Sequence, residues 1–330
     1  MRILVWHVHG SYLTAFVQGD HTYLIPATPD RDADGRGRAR TWTWPDTAVE
    51  VAPEALRDTA FDVVILQRPH ELRLTEEWTG RRPGADVPAL YLEHNTPRGD
   101  VGDWRHPLAD LADGDARSPI PIVHVTPFNA AMWDTGTAPT FVVEHGIPDP
   151  GYRWRGDRAT LAVCVNEPVR RRRVAGVDLV ARVARDVPVE LYGMGLAGVE
   201  DLVPDGLVAT HEDLPQHELH DRLGAHRAYL HPYRWTSLGL SLVEAMTLGL
   251  PVLVLAATAA PDAVPAEAGV VSADVDALRR AARELRNDPD RARAMGLAGR
   301  RHALRRFGLR RFLDDWDATL LAAVREEVAR

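Results

Sequence analysis

The apolar positions of this chain fall into short runs separated by polar or helix-patterned segments, and the alternation repeats along most of its length. In the first half RILVWHV (2–8), HTYLIP (21–26), DVVILQ (62–67), PALYLEH (88–94), PIVHVT (121–126) and TFVVEHG (140–146) are short and rich in β-branched residues, which predicts strands. HGSY (9–12) predicts a turn around Gly10, and DRDADGRGRAR (30–40) predicts a mobile polar loop. GIPDPGYRWRGD (146–157) concentrates proline, glycine and charge, the composition of a linker. The alternation then restarts, with strands at ATLAVCV (159–165), VELYG (189–193) and AYLHP (228–232). Helices are predicted at GVDLVARVAR (176–185), PQHELHDRLGAH (215–226) and DVDALRRAARELRND (274–288). Strands alternating with helices of about ten residues predict an α/β protein whose parallel sheets are covered on both faces. Two such halves, 1–148 and 155–308, predict two Rossmann-like domains facing a central cleft.

WTSLGLSLVEAMTLGLPVLVLA (235–256) predicts a helix running into a buried strand, stopped by Gly249 and Pro251, and it holds one acid, Glu244. A carboxylate in so apolar a setting needs a partner. The loop HPYRWTSLG (231–239) lies between a strand and that helix, beyond a strand's carboxyl end, where ligands of open α/β sheets sit. Its small residues would leave helix-terminal N–H groups for an anion, phosphate above all. The alternative is that Thr236 or Ser237 merely caps the helix.

Composition narrows the chemistry. A net charge of −8 argues against nucleic-acid binding by bulk charge, and with no lysine in the chain any anion site must use arginine, histidine or backbone amides. No apolar run reaches the roughly 18 residues that span a bilayer, and the start does not read as a signal peptide. The single cysteine, Cys164, excludes an internal disulfide and suits a reducing cytoplasm. No Asp-x-Asp motif or His/Cys cluster with metal-ligand spacing is present, so no metal is implied.

HPYRWTSLGLSLVEAMTLGLPVLV (231–254) resembles the signature of retaining GT-B glycosyltransferases of family GT4: Glu-Gly-Phe-Gly, a short apolar stretch, Glu-Ala-Met, then Gly-x-Pro-Val. Weaker similarity extends over most of 155–312. The resemblance implies a GT-B fold and transfer of a sugar, with retention, from a nucleoside diphosphate sugar such as a UDP- or GDP-sugar. The acceptor would be a glycan, a lipid or a small molecule, which leaves peripheral membrane contact open. Glu244 falls on the second glutamate of the family's Glu-x7-Glu pair, which binds the donor ribose. The first glutamate, which contacts the donor sugar, is replaced by Thr236, and Leu238 stands where phenylalanine is usual. The backbone amides of Ser237, Leu238, Gly239 and Leu240 would bind phosphate whatever their side chains. VNEPVRRRRVAGVDLV (165–180) stands where the family has its other phosphate partners, which implies Asn166 with cations from Arg170 to Arg173; position in the motif favours Arg170 and Arg172, and the choice among the four stays open. Gly193, in ELYGMGL, would lie near the base, and Gly10 would let the backbone approach the donor phosphates. His94, at the end of PALYLEH, is the catalytic candidate beside the donor sugar; His9, His70 and His124 are rivals.

The resemblance leaves two other readings open, a non-hydrolysing nucleotide-sugar epimerase of the same fold and a non-catalytic nucleotide-sugar binder. In the last segment, 309–330, Phe312, Trp316, Leu320 and Val324 fall four apart on one helical stripe. It is similar to the GT-B helix that crosses back onto the first domain.

Overall fold

The computed structural model describes residues 1–109, 119–203 and 206–328; the last two residues of the expected helix 309–330 lie outside these. The chain divides into two compact units, Met1–Gly146 with Leu309–Arg330, and Ile147–Gly308.

Unit 1 is built on a seven-stranded parallel sheet of its described residues. Its strands are β1 (Arg2–Val5), β2 (Thr22–Pro26), β3 (Ala48–Val51), β4 (Val63–Leu66), β5 (Ala89–Glu93), β6 (Ile122–His124) and β7 (Thr140–Val142), in the order β3-β2-β1-β4-β5-β6-β7. Ile3 pairs with Tyr23 on one side and Val63 on the other. Central strands are apolar on both faces, as a sheet covered twice requires, and every residue of β4 is fully buried. Helices α1 (Gly10–Phe16), α2 (Glu71–Thr79) and α3 (Pro127–Met132) follow β1, β4 and β6. Gly10 therefore opens a helix rather than a turn.

The segment 30–40 is tied down, against the expectation of a mobile loop. Arg31 holds Glu50 through both guanidinium nitrogens at 2.7 and 2.8 Å, and the Gly37 carbonyl accepts from the His7 ring at 2.8 Å. Its charges read as solvated in the sequence because their partners lie on another strand.

Unit 2 has a six-stranded parallel sheet in the order β10-β9-β8-β11-β12-β13. The strands are β8 (Arg158–Cys164), β9 (Val189–Gly193), β10 (Val208–Glu212), β11 (His226–His231), β12 (Val252–Leu255) and β13 (Gly269–Ser272). Its helices are α4 (Pro168–Ala175), α5 (Val177–Ala184), α6 (Gln216–Ala225), α7 (Leu240–Leu248), α8 (Ala260–Ala263), α9 (Val275–Asn287) and α10 (Pro289–Arg306).

The strand order reverses once in each sheet: the chain runs outward from β1 to β3 and resumes at β4 beside β1, and likewise runs from β8 to β10 and resumes at β11 beside β8. Connections leave such a junction toward opposite faces, opening a crevice at the carboxyl ends of the two strands.

The final helix, α11 (Leu309–Val328), belongs to unit 1. Its stripe is buried there: Phe312 and Leu320 are fully buried, Trp316 nearly so, and Val324 is half-buried. The Trp316 ring packs on Phe16 with centroids 4.8 Å apart, and its Nε1 donates to the Tyr12 hydroxyl at 2.9 Å. Gly146 is required beneath Phe312, since a Cβ there would fall 2.3 Å from the phenylalanine Cβ. Trp316→Ala should destabilise unit 1 by about 3–5 kcal/mol, the usual cost of deleting a buried aromatic. Hydrogen exchange checks this: amides of α1 and β2 should lose protection while those of α7 and β11 keep theirs. Equal loss in both units would contradict the assignment of the helix to unit 1.

Candidate functional site

In unit 2 the sequence-predicted residues gather at the junction of β8 and β11 and beside it. Asn166, just past β8, accepts through Oδ1 from the Met194 N–H at 3.0 Å, and the Met194 carbonyl accepts from Glu167 N–H at 2.7 Å. The loops after β8 and β9 are thereby laced together. Gly193 is obligatory at this seam, because a Cβ would sit 2.1 Å from the Val165 carbonyl oxygen. Glu212 clamps the rest of the β9 loop, accepting from Gly195 and Leu196 N–H at 2.6 and 2.9 Å.

The four arginines of α4 do different things. Arg170 is paired with Glu167, and Arg173 with Asp178 at 3.1 Å. Arg171 lies over the Tyr233 ring, 5.1 Å from its centroid, a cation–π contact. Arg172 is exposed and has no ion pair among the described residues. Its backbone, at φ 40° and ψ −115°, breaks the helix from within. A non-glycine residue held there is strained, and such strain concentrates at functional sites. Of the two arginines singled out from sequence, Arg170 is thus committed to a carboxylate, while the unselected Arg171 faces the loop after β11.

That loop carries Thr236 to Leu240. Thr236 is half-buried, Ser237 and Leu238 are buried, and the Ser237 carbonyl accepts from Ala259 N–H at 3.3 Å. The N-cap of α7 is Gly239, with no side-chain cap, so neither Thr236 nor Ser237 plays the capping part. The N–H groups of Leu238, Gly239 and Leu240 find no partner among the described residues, as at any uncapped helix start. Gly239 has no room for a side chain: a Cβ would lie 2.5 Å from His231 Cε1.

Glu244 sits one turn into α7, half-buried, and its side chain accepts one hydrogen bond among the described residues, from Gln216 Nε2 at 3.0 Å. Among the described residues no arginine or histidine pairs with it. Burial, opposed only by the Gln216 hydrogen bond, pushes its carboxyl up to about 7. Burial and the charge of Glu244 in turn push the neighbouring Cys164 thiol well above its usual range. Among the described residues no cluster of three or more histidine, cysteine, aspartate or glutamate side chains is set to hold a metal ion.

In unit 1, Gly10, His9 and Gln67 lie at the junction of β1 and β4, with His94 after the next strand, β5. His94 lies against His9 with centroids 4.1 Å apart and the rings tilted by 49°, meets the Tyr12 ring at 4.6 Å, and is bonded through Nε2 to Gln67 Oε1 at 3.0 Å. Burial, with His9 and His145 adding to it, holds the His94 pKa well below 6.5; burial lowers His9 to about 4. Both rings are neutral at pH 7. A Cβ on Gly10 would be tight rather than excluded, 3.3 Å from His7 Nε2. Among the rivals, His70 is bonded to Asp34 at 2.9 Å, and His124 is fully buried in the sheet.

Sequence reading kept Arg171 among four arginines without singling it out, and missed Tyr233, Gln216 and Gln67. Gln67 carried a usable signal as the polar end of a predicted strand; Gln216 and Tyr233 count only through tertiary placement.

Residues 208–302 match the family described as "Glycosyl transferases group 1". The chain is 30% identical over 222 residues to a GDP-mannose-dependent alpha-(1-6)-phosphatidylinositol monomannoside mannosyltransferase of Mycolicibacterium smegmatis, covering 56% of this chain and 57% of that one. The chain thus spans little more than half the length of that curated relative. Anabaena HepE, solved with UDP, superposes with a TM-score of 0.71 at 13% identity, covering 98% of this chain and 100% of that one. A sucrose-phosphate synthase from Thermosynechococcus elongatus gives 0.67 at 15% identity over the same shares. These likenesses, with the two parallel sheets, show the GT-B fold.

The unpaired carboxylate has a consequence for stability. Its folded-state pKa of about 7 lies above the ordinary glutamate value of 4.5. The folded state therefore holds this proton more tightly, and the contribution is complete below pH 4.5 and lost as pH rises through 7. Glu244→Gln removes the titration. Relative to their difference at pH 4.5, the variant should gain about 1–3 kcal/mol over the parent by pH 8. Urea unfolding at both pH values checks this; parallel pH profiles would show that Glu244 ionises without penalty.

Proposed function

We propose that this chain, which carries a group 1 glycosyl transferase domain on the GT-B fold, moves a hexosyl group from a nucleoside diphosphate sugar to an acceptor hydroxyl. The observation that carries the reading is Glu244: a partly buried carboxylate with no cation paired to it among the described residues, beside the uncapped N-terminus of α7. A carboxylate so placed suits two neutral donors such as the ribose hydroxyls. The α7 amides, with Arg171 and Arg172, suit the diphosphate.

The chemistry then rests on the leaving group. The acceptor oxygen bonds to the anomeric carbon as the bond from that carbon to the diphosphate oxygen breaks, and the acceptor proton passes to the leaving diphosphate. Attack from the same face as departure retains configuration and needs no protein nucleophile. Helix-terminal amides and arginine stabilise charge growing on the diphosphate. Thr236, standing where a glutamate is usual, offers the sugar a hydroxyl and no charge. The GDP-mannose dependence of the mycobacterial relative and the UDP bound to HepE support UDP and GDP as the bases to test. The name of the former supports a lipid-linked glycan among the acceptors.

A panel of UDP- and GDP-sugars, incubated with glycan and lipid-glycan acceptors and followed by product analysis, tests the reading. Glycosylated acceptor with retained configuration is expected; a converted nucleotide sugar would mean an epimerase, and binding without turnover a binding protein. Glu244→Ala should weaken nucleoside diphosphate binding by about 1–3 kcal/mol, the worth of a charged hydrogen bond. Unchanged affinity in a folded variant would remove the ribose assignment.

The arginines are tested by ligand charge. Arg172→Ala should weaken binding of diphosphate and monophosphate by about 1–3 kcal/mol while leaving the bare nucleoside unaffected. Equal losses for all three ligands, by calorimetric titration, would refute a phosphate role.

A further inference from the structure

Gln67 lies just past the carboxyl end of β4, where the sheet order of unit 1 reverses, and is 3% exposed. Its main chain is fixed on both sides: the N–H donates to Glu71 Oε2 at 2.6 Å, and the carbonyl accepts from the Tyr91 hydroxyl at 3.2 Å. The orientation of its side-chain amide follows from one partner. The Trp6 carbonyl, 2.7 Å from Nε2, can only accept, so that end of the amide is the NH2. The oxygen end then faces His94 Nε2 at 3.0 Å. An amide oxygen can only accept, so the proton of His94 must sit on Nε2.

We infer that Gln67 is a positioning residue that holds His94 as the Nε2–H tautomer and leaves Nδ1 as a hydrogen-bond acceptor for a ligand hydroxyl. The other groups facing His94 are His9 across the ring, Tyr12 at its edge, and His145. None brings an anion to the ring, and burial with the two imidazoles keeps it neutral. A neutral ring whose donor is already used can only accept. What approaches Nδ1 must bring a proton, as a sugar hydroxyl does and an ionised phosphate oxygen does not. Nδ1 itself makes no hydrogen bond with any described residue. The identity of the hydroxyl rests on the glycosyl-transfer reading; the tautomer does not.

The test uses the full chain labelled with 15N-histidine, His94 being assigned by the loss of its signals in His94→Gln. Long-range 1H–15N correlation should show a protonated Nε2 and a bare Nδ1, unchanged from pH 5.5 to 8. In Gln67→Glu the added carboxylate should raise the His94 pKa by about one to two units. In Gln67→Leu the minor tautomer should become visible, with kcat reduced about ten- to hundredfold and KM for the nucleotide sugar little changed. A proton on Nδ1 in the parent protein, or an unmoved His94 in Gln67→Glu, overturns the inference. Should Gln67→Leu fail to fold, the parent spectrum and Gln67→Glu still decide it. A protein with this tautomer that transfers no sugar counts against the proposed function and leaves the role of Gln67 standing.

Discussion

Parallel strands cannot be joined by hairpins; every connection must cross a face of the sheet, and where the crossings change side the chain leaves a gap it cannot fill with its own backbone. Both sheets here contain that reversal once, between β1 and β4 and between β8 and β11. The polar side chains that matter to the proposed chemistry hang from one of those ends, from the strand beside it, or from the helix that follows, as Glu244 does on α7 and Arg171 on α4. Gln67 follows β4, Asn166 follows β8, and the loop from Pro232 to Gly239 follows β11. The glycines obey the same constraint. Gly193 and Gly239 are small because a neighbouring strand end, Val165 or His231, already fills the space a Cβ would take.

Within unit 2 the reversal places a carboxylate where the fold gives it little in return. Glu244 meets an amide, Gln216, and a thiol kept neutral, Cys164. No arginine among the described residues contributes to the electrostatics of Glu244; on α4 and in the loop after β11, Arg170 is taken by Glu167, and Arg173 and Arg234 by Asp178, the last at 2.6 Å. Burial without a compensating charge works against the folded state. A ligand that supplies hydroxyl donors would reverse that balance, so affinity gained on binding comes partly from relief of a penalty already present.

The sequence was informative wherever burial is symmetrical. Strands β1, β4, β5, β8, β11 and β12 are apolar runs and were legible as such. Strands β3 and β10 were not: only Ala48 of β3 is fully buried, and β10, VATHE, buries none of its residues completely. As edge strands they are held by a single neighbour, and their composition is that of a surface. Helix α1 escaped because HGSY carries turn residues; the helix follows from tertiary burial of Tyr12 and Phe16 under α11, contacts some three hundred residues apart in sequence. At the site, Glu244, Gly239 and His94 stood out as misplaced chemistry in apolar or strand-end settings. The division of labour among Arg170 to Arg173 could not be read, because it depends on a break at Arg172 and on partners drawn from other loops.

The two junctions also differ in kind. Around His94 the groups are imidazoles, a phenol and an amide, with the His94 and His9 rings uncharged at pH 7, and the hydrogen bonds from Trp6 through Gln67 fix which atoms donate. Around α7 the groups are arginines, a carboxylate and helix-terminal amides, most of them charged or aligned with the helix dipole. Neutral donors and acceptors of fixed direction discriminate among hydroxyls, whose geometry varies and whose charge does not. Charges and dipoles discriminate a diphosphate, and act more strongly still on one that is gaining negative charge as it departs. Neutral groups of fixed direction therefore suit the junction of unit 1 to a hydroxyl, and charges with helix-terminal dipoles suit the junction of unit 2 to a diphosphate.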